Sequence, residues 1–128
     1  MDLFLQPVLS KTQRTSLLLF CCLVNVVLMH LTMNLAWYVG LSGALHGYLV
    51  GGALLSWSSS KRLNAAILVV IGGKLFVELF WQINQATEQL IGANVVEEAH
   101  SYGAVSALIY VLILYVVKKL KIITRKLQ

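Results

Sequence analysis

Charge is what this chain has least of. Lys, Arg, Asp and Glu make up 12% of its 128 residues, about half the share of a typical soluble domain. From Thr15 to Ser60 none of the four occurs. No water-facing surface can be built from such a stretch, which excludes a soluble globular domain. Cysteine is nearly absent as well, with only the adjacent Cys21 and Cys22. Neighbours on a helix point in different directions, and a bilayer interior is not where structural disulfides form, so both thiols read as small apolar fillers. No group of Cys, His, Asp and Glu has the spacing of metal ligands, and no glycine loop is built to cradle phosphate. Neither a metal nor a cofactor is expected.

What is present is apolar: 59% of the chain, with a mean hydropathy of +0.80. A spanning helix needs about 20 residues, so the uncharged stretch from Thr15 to Ser60 is too long for one crossing and suits two. The natural turn between them is 34–40, where Trp37 and Tyr38 suit the lipid–water interface. Further apolar stretches follow. The expected fold is therefore all-α, a polytopic membrane helix bundle with four transmembrane helices at about 15–34, 41–57, 64–81 and 101–117. The whole chain forms a single transmembrane domain, 1–128. The first span does not read as a cleavable signal peptide, because no small-residue cleavage site follows its apolar part.

The basic residues sort by crossing. Lys11 and Arg14 precede the first span, Lys61 and Arg62 separate the second and third, and Lys118, Lys119, Lys121, Arg125 and Lys126 follow the fourth. Four crossings put them all on one side. The other side receives Glu88, Glu97 and Glu98 and no cation, so the positive-inside rule places both termini in the cytoplasm. The net charge of +5 then reflects membrane topology and the headgroups beside the C-terminal tail, with no call for nucleic acid.

In this orientation spans two and four run parallel from the outer face inward. Gly43, Gly47 and Gly51 recur every four residues along span two, and Gly103 and Ala107 stand four apart on span four. Such small-residue faces let membrane helices approach closely. Ser42 and His100 sit beside the two faces, each at the outer end of its span. A serine hydroxyl becomes a nucleophile when a base about 3 Å away accepts its proton, and histidine suits that task. First-turn N–H groups can hold an oxyanion. Each residue also has a plainer reading, Ser42 as a helix cap and His100 as an interfacial polar group. Gly-Leu-Ser-Gly-Ala is not the Gly-x-Ser-x-Gly elbow, and no strand precedes it, which excludes an α/β-hydrolase.

Gly40-Leu41-Ser42-Gly43 ahead of a glycine-striped helix, with Ala99-His100-Ser101-Tyr102-Gly103 on a later one, resembles the rhomboid family of intramembrane serine proteases. Trp37-Tyr38-Val39-Gly40-Leu41-Ser42-Gly43-Ala44-Leu45-His46-Gly47 is similar to the rhombosortase branch, as are Lys74 with Glu78 and the segment Val95 to Ala104. The likeness runs from about Ser16 to Val117. It implies a Ser–His dyad, Ser42 as nucleophile and His100 as base, with Gly40, Leu41, Gly43 and His46 around the dyad and Gly47, Gly51 and Gly103 packing the helices. It also implies a bacterial inner-membrane protein with its site towards the periplasm. The implied substrates are membrane-anchored C-terminal tails of exported proteins, carrying a Gly-Gly motif, an apolar helix and a basic end.

Three departures from the family stand out. The chain reads as the last four helices of a six-helix core. His30 and Asn34 imitate the His-x-x-x-Asn of an oxyanion-hole helix, but end the first span directly before the serine loop, which the family does not do. Ala107 replaces a second glycine, and His46 stands where many rhomboids have an aromatic ring packed on the histidine. A truncated chain that binds transmembrane helices without cutting them is the alternative, and self-association is left open. Lys74 and Glu78, four apart in span three, must pair or face a polar cavity, since each charge costs about 2.5–3.5 kcal/mol at the bilayer centre. Structural pairing, shaping of the site and an ion pathway all meet that demand. Asn25, mid-span, is expected to bond to a neighbouring helix.

Overall fold

The computed structural model describes residues 9–33, 41–81, 96 and 98–126. Among them are four helices and no strand: α1 (Lys11–Met33), α2 (Ser42–Leu55), α3 (Lys61–Trp81) and α4 (Glu98–Lys126). The expected turn at 34–40, with Gly40 and Asn34, and most of the segment between α3 and α4 lie outside the described residues.

Local chemistry sets the helix ends. Ser10 and Gln13 form a reciprocal capping box at the start of α1, where Gln13 N–H donates to Ser10 Oγ (3.2 Å) and Ser10 N–H to Gln13 Oε1 (3.0 Å). At the other end of α2, a serine-rich stretch stops the helix. Ser56 Oγ donates to the Gly52 carbonyl (2.6 Å), and Asn64 Nδ2 takes the Ser56 carbonyl (2.7 Å) that would otherwise continue the ladder. Serines compete with the backbone for such bonds and favour helix ends.

That stop corrects the count of spans. α1, α3 and α4 are long and apolar enough to cross a membrane. α2, expected as a fourth span over 41–57, has 14 residues, or about 21 Å at 1.5 Å per residue, against a hydrocarbon core of about 30 Å. It lies inside the bundle, its glycines and alanines buried, while α1, α3 and α4 turn Leu, Val, Ile and Phe side chains outward.

Three ladders of four-residue period build the core. Leu17, Cys21, Asn25 and Met29 are buried along one face of α1. Gly51, Gly47 and Gly43 on α2 meet Leu17, Cys21 and Asn25 in that order, so α1 and α2 are antiparallel. On α4 the ladder is Ala99, Gly103 and Ala107: Gly43 lies against Ala99, Gly47 against Gly103 and Gly51 against Ala107, so α2 and α4 run parallel. Ser16 Oγ and Tyr110 Oη (2.6 Å) and Asn25 Nδ2 donating to the Ala99 carbonyl (3.2 Å) tie α1 to α4 at two levels. Asn25 thus bonds to a neighbouring helix as expected, and Cys21 and Cys22 are free thiols.

α3 is attached differently. It packs mainly on α2, touches α4 over a few residues, and makes no contact with α1 among the described residues. Only Asn64, Ile71 and Glu78 are buried along its length. Asn64 meets the end of α2 and Glu78 meets the start of α4, so α3 runs antiparallel to both.

Candidate catalytic site

Parallel packing of α2 and α4 brings their first turns side by side. Ser42 is the first residue of α2, and His100 lies in the first turn of α4. The glycines set the separation: a Cβ on Gly103 would run into the Gly43 carbonyl, and one on Gly43 into Asn25 Nδ2 and the Ala99 carbonyl. With backbones that close, His100 Nε2 stands 3.2 Å from Ser42 Oγ. This is at the long end of hydrogen-bond range, as is common before a substrate tightens such a pair.

The other ring nitrogen is also engaged. His100 Nδ1 lies 2.9 Å from Glu78 Oε2, and the Lys74 ammonium bonds to Glu78 Oε1 one helical turn away. A carboxylate held by an ammonium only accepts, so Nδ1 carries the hydrogen. Nε2 then presents its lone pair to the serine hydroxyl. Ser42 O–H donates to Nε2 and His100 Nδ1–H donates to Glu78, which makes one continuous chain from α2 through α4 to α3. His100 is 6% exposed and Glu78 5%, while the Lys74 side chain is 46% exposed.

His46 stacks on His100, ring centroids 4.3 Å apart and planes inclined by 29°. Its Nδ1 donates to the Ser42 carbonyl (2.7 Å), which directs that nitrogen at the backbone and away from the serine hydroxyl. His46 therefore packs against the His100 ring. Leu41 precedes α2, 56% exposed, and α2 begins with no side-chain cap. First-turn N–H groups of a helix such as those beside Ser42 are donors of the kind that can hold an oxyanion.

Of the residues singled out from sequence, the structure groups Ser42, His100, His46, Leu41, Gly43 and Gly103 at one end of the bundle. Gly47 and Gly51 lie further along the seam, and Gly40 is outside the described residues. Glu78 and Lys74, for which the sequence left structural pairing, shaping of the site and an ion pathway open, both stand at His100; the sequence did not place Glu78 on the histidine. The signal of Glu78 was present in the cost of a carboxylate within an apolar span, but the sequence showed only the local partner, Lys74. No family model, curated protein or solved structure matches this chain.

Proposed function

We propose that this chain is a rhomboid-like intramembrane serine protease of the rhombosortase type. The approach of His100 Nε2 to Ser42 Oγ at the ends of two parallel helices carries the reading. His100 accepts the Ser42 proton as Oγ attacks a scissile carbonyl, and an oxyanion develops beside the first turn of α2. The tetrahedral adduct collapses to an acyl-enzyme as His100 Nε2–H protonates the leaving amine. Water, deprotonated by the same nitrogen, then releases the acid and restores Ser42. The substrates are membrane-anchored C-terminal tails of exported proteins. In this reading the site lies towards the periplasm and both termini are in the cytoplasm, with α2 as the inward return within the bundle; the alternating directions of α1 to α4 and the cations at the starts of α1 and α3 and the end of α4 support it.

The test is labelling of the purified chain in micelles with a serine-directed fluorophosphonate. Labelling of the parent and its loss in both Ser42→Ala and His100→Ala, at unchanged helicity, is the expected result. A Ser42→Ala protein that still labels, or a folded parent that does not, overturns the reading. A chain that binds helices without cutting is the second reading. The exposed apolar side of α3 favours it, where Val69, Val70 and Phe76 flank Gly72 and Gly73 with open space above both glycines.

A further inference from the structure

We infer that Glu78 is a positioning residue for His100, kept in its carboxylate form by Lys74, so that the site operates as a Ser42–His100–Glu78 triad. The inference deepens the serine-protease reading and rests on it for its kinetic consequence.

The sequence allows a simpler role for the pair. Lys74 and Glu78 stand one turn apart, and an ion pair within a spanning helix neutralises two costly charges. That role requires one carboxylate oxygen and leaves the pair free to point anywhere on α3. The structure uses both oxygens. Oε1 takes Lys74 and Oε2 takes His100 Nδ1. Glu78 is turned inward while Lys74 stays half exposed. The contact also falls where α3, otherwise packed on α2, reaches α4.

Two consequences follow for the base. A neutral imidazole serves Ser42 only with its hydrogen on Nδ1, because the other tautomer has no lone pair at Nε2. Glu78 Oε2 selects that tautomer and fixes the ring plane. When His100 takes the serine proton, the Oγ–H bond breaks, an Nε2–H bond forms and the ring becomes a cation. Lys74 Nζ lies only 3.4 Å from Nδ1, so without Glu78 that cation would face an ammonium. The groups facing His100 are Ser42 and His46 from α2 and Lys74 and Glu78 from α3. Asn25 of α1 meets the preceding Ala99 carbonyl and is uncharged. Glu78 is thus the anion in contact with the ring among the described residues.

The experiment uses the full chain in micelles, labelled with ¹⁵N-histidine, with His100 assigned through His100→Ala. It compares the parent, Glu78→Gln, and Glu78→Gln/Lys74→Gln, which carries no unpaired charge and guards against a failure to fold. In the parent, His100 is expected as the Nδ1–H tautomer. In both variants that tautomer is lost. Fluorophosphonate labelling falls about 10²- to 10⁴-fold in Glu78→Gln, the scale set by removal of the orienting carboxylate in a serine protease. Charge neutralisation alone predicts a double variant that matches the parent in tautomer and rate, and that result overturns the inference. A parent that keeps the Glu78-dependent tautomer but does not label removes the protease reading and leaves the anchoring of His100 standing. A parent that labels, with Glu78→Gln unchanged in both readouts, removes Glu78 alone.

Discussion

The seam between α2 and α4 and the attachment of α3 build two halves of one site by different means. Along the seam there is almost no side chain. Gly43, Gly47, Gly51, Ala99, Gly103 and Ala107 bring two backbones together, and the missing Cβ atoms would overlap backbone carbonyls at three of the four glycines. α3 does the reverse. Its Gly72 and Gly73 have nothing within 4 Å, and it is held by Ile71 in the core and by polar side chains at its two ends, Asn64 on Ser56 and Glu78 on His100. Backbone packing has no adjustable part, so it fixes the Ser42–His100 separation. A hydrogen bond from a long side chain tolerates small helix shifts, which suits an element that orients the His100 ring without setting its distance from Ser42.

The glycines offer the sharpest way to break this contrast. Gly103→Ala should be the most damaging single methyl group in the protein, because its Cβ would overlap the Gly43 carbonyl and backbone cannot swing aside. Overpacking of this kind costs about 3 kcal/mol, the upper end of its usual range. Thermal unfolding in micelles should register that loss, together with a fall in labelling as Ser42 and His100 part. A Gly103→Ala protein of parental stability would mean that the seam is looser than its geometry requires.

Much of this seam was legible in the sequence. The four-residue recurrence of Gly43, Gly47 and Gly51 pointed to a close helix contact, and parallel spans put Ser42 and His100 at one depth. The helix-forming stretches were also legible, though α1, α3 and α4 run beyond the apolar cores expected at 15–34, 64–81 and 101–117. Charged residues such as Lys61 and Lys121 extend a helix readily while ending its hydropathy signal. Two features were not legible. Hydropathy carries 41–57 across a full span, but the serines after Leu55 and the clasp by Asn64 end α2 early. Glu78 showed its local partner because i and i+4 are fixed by helix geometry, whereas its contact with His100 depends on how α3 is rotated against α4.

The α3 attachment breaks at its other end with a smaller effect. Asn64→Ala frees the Ser56 carbonyl and leaves Ser56 Oγ without its Asn64 contact, both in a buried turn. An unsatisfied buried polar group costs about 1–3 kcal/mol, and we expect the lower half of that range because the adjoining serines can re-pair. Hydrogen exchange should rise at the α2–α3 turn and stay level along the α2–α4 seam. Loss of protection along the seam would show that the two halves are not separable.

Smaller again is Gly51→Ala. Its Cβ would meet Leu17 Cδ1 at 2.8 Å and Ala107 Cβ at 3.4 Å, and a leucine terminus can turn away where a carbonyl cannot. The change should lower stability by less than about 1 kcal/mol and leave labelling intact. A large loss here would mean that Leu17 has no free rotamer and that the α1 face is as rigid as the seam.

Gly72→Ala and Gly73→Ala carry the contrast to its limit. Nothing in the bundle occupies the space above either glycine, so a methyl group meets no clash, and alanine is preferred over glycine in a helix interior by about 0.5–1 kcal/mol. Each change should leave the unfolding temperature unchanged or raise it slightly, with labelling at the parental rate. The two glycines lie on the same apolar side of α3 as Val69, Val70 and Phe76, a surface narrow enough for a second helix to approach. If either alanine lowers cleavage of a membrane-anchored tail while the unfolding temperature and the labelling rate hold, the notch serves a helix that arrives from outside the bundle. If cleavage also holds, the glycines have no close-packing duty, and the open side of α3 is simply a lipid-facing surface.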